Sequence, residues 1–307
     1  MSYSEMEQIE ELLEEAYQSE EIEEIARITR QILELDPENP EALMLLADTL
    51  EYSEEKLELL QRALKPMRSM MEEAGLLNSE ELMDEDEGLI YIGLLQRLGF
   101  ALLSEAHIEE ALGVAEEIIS YDPEGLTLGK TLMYRCLVEL QRFGEVLERA
   151  MKDEEVSPAR QHSIAIATFM LSGADNASYK ALWDAFKVGP DIPLYILGYV
   201  PEPDLDSIDE QQEEDYNFSI LFEDAWTISQ ELANWLASAT ILFGMLTGRF
   251  LEEDKENFLV LMDSLGITSF YEKATQDMGY DVDALDAESF DTTVLDMLRS
   301  NVYLPLK

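Results

Sequence analysis

The segment "SEAHIEEALGVAEEIISYDP", Ser104–Pro123, decides how this chain reads. It supplies a turn, a helix with an acidic start, and a closing Asp-Pro that no helix continues through easily. Working outward, proline-containing breaks recur at "DPENPEA" (Asp36–Ala42), "DPEG" (Asp122–Gly125), "SPAR" (Ser157–Arg160) and "GPDIP" (Gly189–Pro193). Pro123, Pro158 and Pro190 follow one another at 35 and 32 residues. Pro37 stands 86 residues before Pro123, which is two units of about 34 residues with about 18 left over.

Between the breaks the chain reads as pairs of amphipathic helices, and Leu, Ile, Met, Ala and Glu, all strong helix formers, dominate it. A helix–turn–helix period of about 34 residues is the tetratricopeptide signature. Small residues at helix crossings support it. Gly99 and Ala111 fall at the eighth and twentieth positions of the third unit, Val146 at the twentieth of the fourth, and Ala185 at the twenty-seventh of the fifth. Leu13 and Ile25 of the first unit stand where small residues are usual. The extra residues fall between Lys65 and Gly88 and read as a helix extension and loop around Pro66, Gly75 and Asp84–Glu87. After Pro190, "DIPLYILGYVPEPDLDSIDEQQEED" (Asp191–Asp215) is rich in proline and acid, and Pro193, Pro201 and Pro203 oppose regular helix. Helical pattern resumes at Phe218. The expected architecture is all-α: a tetratricopeptide-like helical-hairpin solenoid over 1–190 with an insert at about 65–88, a crossing segment over 191–215, and a C-terminal helical subdomain over 216–307.

The chain of 307 residues is 47% hydrophobic and carries a formal net charge of −47, with −21 in residues 1–90 and −19 in residues 200–307. That composition supports an extended core. The charge repels phosphate backbones and disfavours direct nucleic-acid binding. The lone Cys136 excludes a disulfide within the chain and reads as a buried small hydrophobe. Met1–Glu11 is acidic and lacks the apolar region of a signal peptide. Leu232–Thr247 reads as a buried helix, short of the roughly 20 residues that span a bilayer. A cytoplasmic protein without a membrane segment is expected.

Four further stretches carry a family resemblance. They are the acidic insert ending at Gly88 ahead of Tyr91 and Arg97, "DPEGLTLGKTLMYRCLVELQRFGEVLE" with Gly129, "GPDIPLYILG" with Pro193, Tyr195, Leu197 and Gly198, and "AWTISQELANWL" with Trp226 and Trp235. Through these, residues 60–236 resemble a group of poorly characterised bacterial tetratricopeptide proteins, whose closing motif also occurs in proteins of the suppressor-of-tumorigenicity type. The chain departs from them at Asp122–Gly125, where they are asparagine-rich, and lacks their arginine-rich stretch before Tyr91. The resemblance implies the fold and the crossing segment, and no established activity.

Chemistry-bearing motifs are scarce. "EGLTLGKT" (Glu124–Thr131) is close to a phosphate loop, but Glu124 occupies the required glycine and Gly125 lies one residue too near Gly129. "DLDSIDEQQEED" (Asp204–Asp215) and "DVDALDAESFD" (Asp281–Asp291) lack the glycine and closing glutamate of a calcium loop and read as solvated acid. His107 and His162 are 55 residues apart and show no zinc spacing. Trp183, Trp226 and Trp235 sit among apolar helical residues and read as core. No nucleophile or acid–base arrangement stands out, so no catalytic residue, metal or cofactor is assigned.

The expected function is a non-enzymatic scaffold that holds a peptide or helix of a partner protein in the concave groove formed by the first helix of each pair. Groove positions fall on Gln96, Arg97, Phe100, Thr131, Arg135, Arg160 and Ser163. Three of eleven arginines would then face one groove, either meeting carboxylate or phosphate groups of a partner or pairing with neighbouring glutamates. The alternative is an acidic nucleic-acid mimic that sequesters a basic nucleic-acid-binding protein.

Overall fold

The structure is a computed structural model that describes residues 3–51, 53–77, 79, 82–204, 207–278 and 287–306. The described chain is all-helical and contains no strand. It divides into two compact units, residues 1–136 and 137–307. The change of pattern near Pro190 therefore falls inside the second unit.

In the first unit the helices are α1 (Tyr3–Gln18), α2 (Ile22–Leu35), α3 (Pro40–Asp48), α4 (Glu54–Ala74), α5 (Asp86–Ser104) and α6 (Ile108–Tyr121), followed by the start of α7 (Gly129–Glu139). From α1 to α6 each helix packs on the next, and α1 also touches α3. Side-chain caps set several of the starts. Asn39 accepts from the Ala42 N–H with Pro40 opening α3, and Ser53 accepts from the Lys56 N–H. Helix α4 runs through Pro66 and stops at Gly75 in the left-handed conformation. Helix α5 is the one described helix long and apolar enough to cross a membrane. The longest apolar stretch noted in the sequence, Leu232–Thr247, is too short for that. In the structure α5 is a core helix that buries Tyr91, Ile92, Leu94, Leu95, Leu98, Ala101 and Leu102.

Close crossings depend on glycine. A Cβ at Gly99 would collide with Leu132 of α7 and press on Val114 of α6. At Gly129, a Cβ would stand 2.7 Å from the Ile118 side chain.

The second unit contains α8 (Phe143–Ala150), α9 (Pro158–Ser172), α10 (Asn176–Val188), α11 (Ile192–Ile196), α12 (Glu210–Trp226), α13 (Gln230–Thr247), α14 (Lys255–Ser264), α15 (Thr268–Met278) and α16 (Ala287–Ser300). Its packing is not a simple succession. Helix α13 touches α9, α11, α12, α14, α15 and α16, and ten of its eighteen residues are buried. It is the buried helix expected at Leu232–Thr247. Helix α12 starts at Glu210, capped by Asp209, within the stretch read as an acidic loop. Pro193 sits in the first turn of α11, where its missing N–H costs no helical bond. The marker prolines Pro37, Pro123, Pro158 and Pro190 all lie between helices or at a helix start.

Two turns share one hydrogen-bond pattern. Ala106 and Gln141, 35 residues apart, both have positive φ (60° and 55°). The following N–H, of His107 or Arg142, donates back to Leu102 or Leu137. This is the six-to-one bond of a helix closing in the left-handed conformation.

Candidate functional site

Polar side chains tie alternate helices of the first unit together. Tyr17 of α1 donates from its hydroxyl to Glu41 Oε2 of α3 at 2.9 Å. Arg97 Nε of α5 donates to both carboxylate oxygens of Asp48 in α3, at 2.8 and 3.0 Å, and its Nη1 donates to the Gly93 carbonyl at 3.1 Å. Gln96 Oε1 accepts from the Leu128 N–H, just before α7, at 2.8 Å. The row α1–α3–α5–α7 is therefore continuous in this unit.

Of the groove candidates, Gln96, Arg97, Phe100 and Thr131 are partly exposed along that row. Arg135 is on α7 as expected but only 4% exposed. Arg160 and Ser163 belong to α9 in the second unit. Arg160 donates through Nε and Nη2 to the Ala150 carbonyl at 3.0 and 2.8 Å, and Ser163 is fully buried with no hydrogen bond to its hydroxyl. The pairing alternative for the arginines describes Arg97, although its acid is Asp48 and not a glutamate. A partner cannot reach the Ser163 hydroxyl.

The loop that imitates a phosphate site is occupied by the chain itself. Asp122 Oδ1 accepts from the Gly125 and Leu126 N–H groups at 2.9 and 3.0 Å, and Oδ2 accepts from Thr127 N–H at 2.7 Å. Burial works against ionisation at Asp122, but the bonds from Thr127, Leu126 and Gly125 outweigh it and hold the carboxyl below its ordinary range. The N–H groups that a phosphate would need already face an internal anion.

Sequence inspection missed a half-buried network between α4, α5 and α6. Arg68 Nη2 reaches both oxygens of Glu117 at 2.7 and 2.8 Å, and its Nε donates to the Tyr91 hydroxyl at 3.2 Å, which in turn donates to Glu117 Oε1 at 2.7 Å. Burial, reinforced by Glu117, pushes the Tyr91 hydroxyl well above its ordinary pKa. No local motif announces this network, because Arg68 and Glu117 are 49 residues apart.

In the second unit, Arg249 donates to Asp191 at 2.7 Å and makes a two-bond pair with Asp291 at 2.9 and 2.7 Å. The last carboxylate of the Asp281–Asp291 stretch is thus engaged, while residues 281–286 lie outside the described residues. From the other acidic stretch, Asp209 caps α12. Asp215 is 3% exposed, accepts from Gln211 Nε2 at 2.9 Å, and is pushed up to about 6 by burial. Among the described residues, no group of three or more His, Cys, Asp or Glu could hold a metal ion.

His162 is completely buried, accepts through Nδ1 from Trp226 Nε1 at 3.1 Å, and is pushed down to about 3 by burial. Trp183, Trp226 and Trp235 are 2%, 1% and 5% exposed, and Trp235 stacks on Phe169 with ring centres 4.6 Å apart. These are core side chains. Comparison with protein-family models, curated proteins and solved structures finds no match to the chain.

Proposed function

We propose that the chain is a tetratricopeptide-like scaffold that recognises a peptide or helix of another protein on the face formed by its first helices, and that it catalyses no reaction. The observation that carries this reading is the side-chain row Tyr17–Glu41, Asp48–Arg97 and Gln96–Leu128, which joins α1, α3, α5 and the start of α7. First helices side by side leave a shelf for an extended or helical ligand. The matching turns at Ala106 and Gln141 support a repeated hairpin. Gln96, Arg97, Phe100 and Thr131 are the accessible contacts, and a cytoplasmic location goes with this role.

Photo-crosslinking tests it. A benzophenone side chain at Phe100 or Thr131 of the full chain is expected to trap a discrete partner in cells. One at Gly113, an exposed position of α6, is expected to trap none. Adducts at Gly113 with none at Phe100 and Thr131 would defeat the assignment. The charge of −47 favours one other reading, an acidic mimic of nucleic acid. In that case the trapped partner would be released by added DNA or RNA.

A further inference from the structure

Helix α1 carries a stripe, apolar but for Glu10, whose ends are exposed among the described residues. Tyr3, Met6, Glu10, Leu13 and Tyr17 follow one another by three, four, three and four residues and so share one side of the helix. Tyr3, Met6 and Tyr17 are 77%, 49% and 51% exposed, while Leu13 packs on the core cluster around Ile9, Ala16 and Ile28 and fixes the stripe in place. Through its bond to Glu41, Tyr17 sets the stripe beside α3, on the side of the first-helix row. Around it the field is mainly acidic. Helix α1 holds six glutamates and no basic residue. Glu7, Glu10, Glu11 and Glu14 are exposed, as is Asp48 on α3. The nearby cations are already paired, Arg97 with Asp48 and Arg27 with Glu24 and Glu15.

We infer that this stripe is the landing site of a basic amphipathic helix from another protein. Its apolar side would lie on Tyr3, Met6 and Tyr17, and its lysines and arginines would meet Glu7, Glu10 and Glu14. A second copy of this chain, a nucleic acid and an anionic membrane are all repelled by the acidic field. A cationic helix is attracted by it, and Met and Tyr offer adaptable apolar contact. Tyr3 to Tyr17 spans about 21 Å at 1.5 Å per residue, so about four turns of helix fit. The inference rests on the reading of the first helices as the recognition face and names the chemistry of what lies there.

Fluorescence anisotropy on the full chain tests it with three labelled peptides: a Leu/Lys amphipathic helix, a scrambled peptide of the same composition without an apolar face, and a Leu/Glu helix. The amphipathic cationic peptide is expected to bind at least about tenfold tighter than the scrambled one and to weaken as salt rises. Tyr3→Ser with Met6→Ser is expected to weaken it at least about fivefold, and Glu10→Lys with Glu14→Lys at least about tenfold. Glu253→Lys with Glu256→Lys, an equal change of net charge in the second unit, is expected to stay within about twofold. Circular dichroism confirms that each variant is folded. Equal binding of the scrambled peptide, or an equal loss in the Glu253/Glu256 variant, would overturn the inference, since bulk charge would then explain the binding. So would sedimentation that showed a dimer lost with Met6→Ser, because the occupant would be a second copy. If Phe100 and Thr131 still trap a partner while the α1 variants change nothing, this inference fails and the scaffold reading survives. If the trapping fails as well, both fall.

Discussion

Buried polar groups at single residues set the terms on which the second unit is stable. Ser163 places a hydroxyl in the core with no hydrogen bond. Burying it costs desolvation that nothing offsets, so Ser163→Ala is expected to raise stability by about 1 kcal/mol, read from urea unfolding. A loss of stability would show that the hydroxyl has a partner after all. Asp215 and His162 act on stability with opposite signs. The folded chain keeps a proton on Asp215 up to about 6, whereas the unfolded carboxyl releases it near 3.8, so stability from this group falls as pH rises through that window. Asp215→Asn, which imitates the protonated form, is expected to raise the melting temperature at pH 7.5, by a stability gain on the order of 1–3 kcal/mol, and to leave it nearly unchanged at pH near 4. His162 stays neutral in the fold down to about 3, against 6.5 when exposed, so the unfolded chain takes up a proton that the folded one refuses. Its share of stability is lost as pH falls from 6.5 toward 3.

Single helices and their turns respond to glycine in opposite ways, and the neighbours decide which. Alanine favours a helix interior over glycine by about 1 kcal/mol, and a Cβ at Gly113 of α6 would meet nothing within 4 Å. Gly113→Ala is therefore expected to stabilise by about 0.5–1 kcal/mol. At Gly99 the same change drives a methyl into Leu132 and Val114, and overpacking of about 1–3 kcal/mol outweighs the propensity gain. Melts of the two variants should move apart, and a rise for Gly99→Ala would contradict the close crossing. The hairpin turns offer a second check. Ala106 and Gln141 hold the left-handed conformation without being glycine, and both are exposed. Relief of that strain in Ala106→Gly and Gln141→Gly, less the added freedom of the unfolded chain, is expected to give a gain of about 0.5 kcal/mol each.

For the molecule as a whole the charge of −47 works against the compact state. Like charges crowd together on folding, so the melting temperature is expected to climb as sodium chloride goes from low to physiological strength and screens them. A flat response would mean that the acidic groups lie no closer together in the folded chain than in the unfolded one. Much of the architecture could be read along the chain because it depends on neighbouring residues. The prolines at 37, 123, 158 and 190 mark breaks since they lack an N–H, and the Leu/Ile/Ala/Glu periodicity favours helix wherever it runs unbroken. The buried character of Leu232–Thr247 followed from the same local pattern. The surroundings of the candidate contact residues were only half legible. Spacing placed Gln96, Arg97, Phe100 and Thr131 on one row, yet it was silent on Asp48 holding Arg97, on Ala150 holding Arg160, and on the burial of Arg135 and Ser163. Those outcomes turn on groups brought together from afar: Arg97 with Asp48 across 49 residues, Arg68 with Glu117 across 49, and Trp226 with His162 across 64. Helix formation is settled within a few turns by propensity, capping and apolar spacing. Whether a guanidinium is free, a carboxylate protonated or a hydroxyl orphaned is settled by the partner that packing delivers, and no short stretch of chain encodes that.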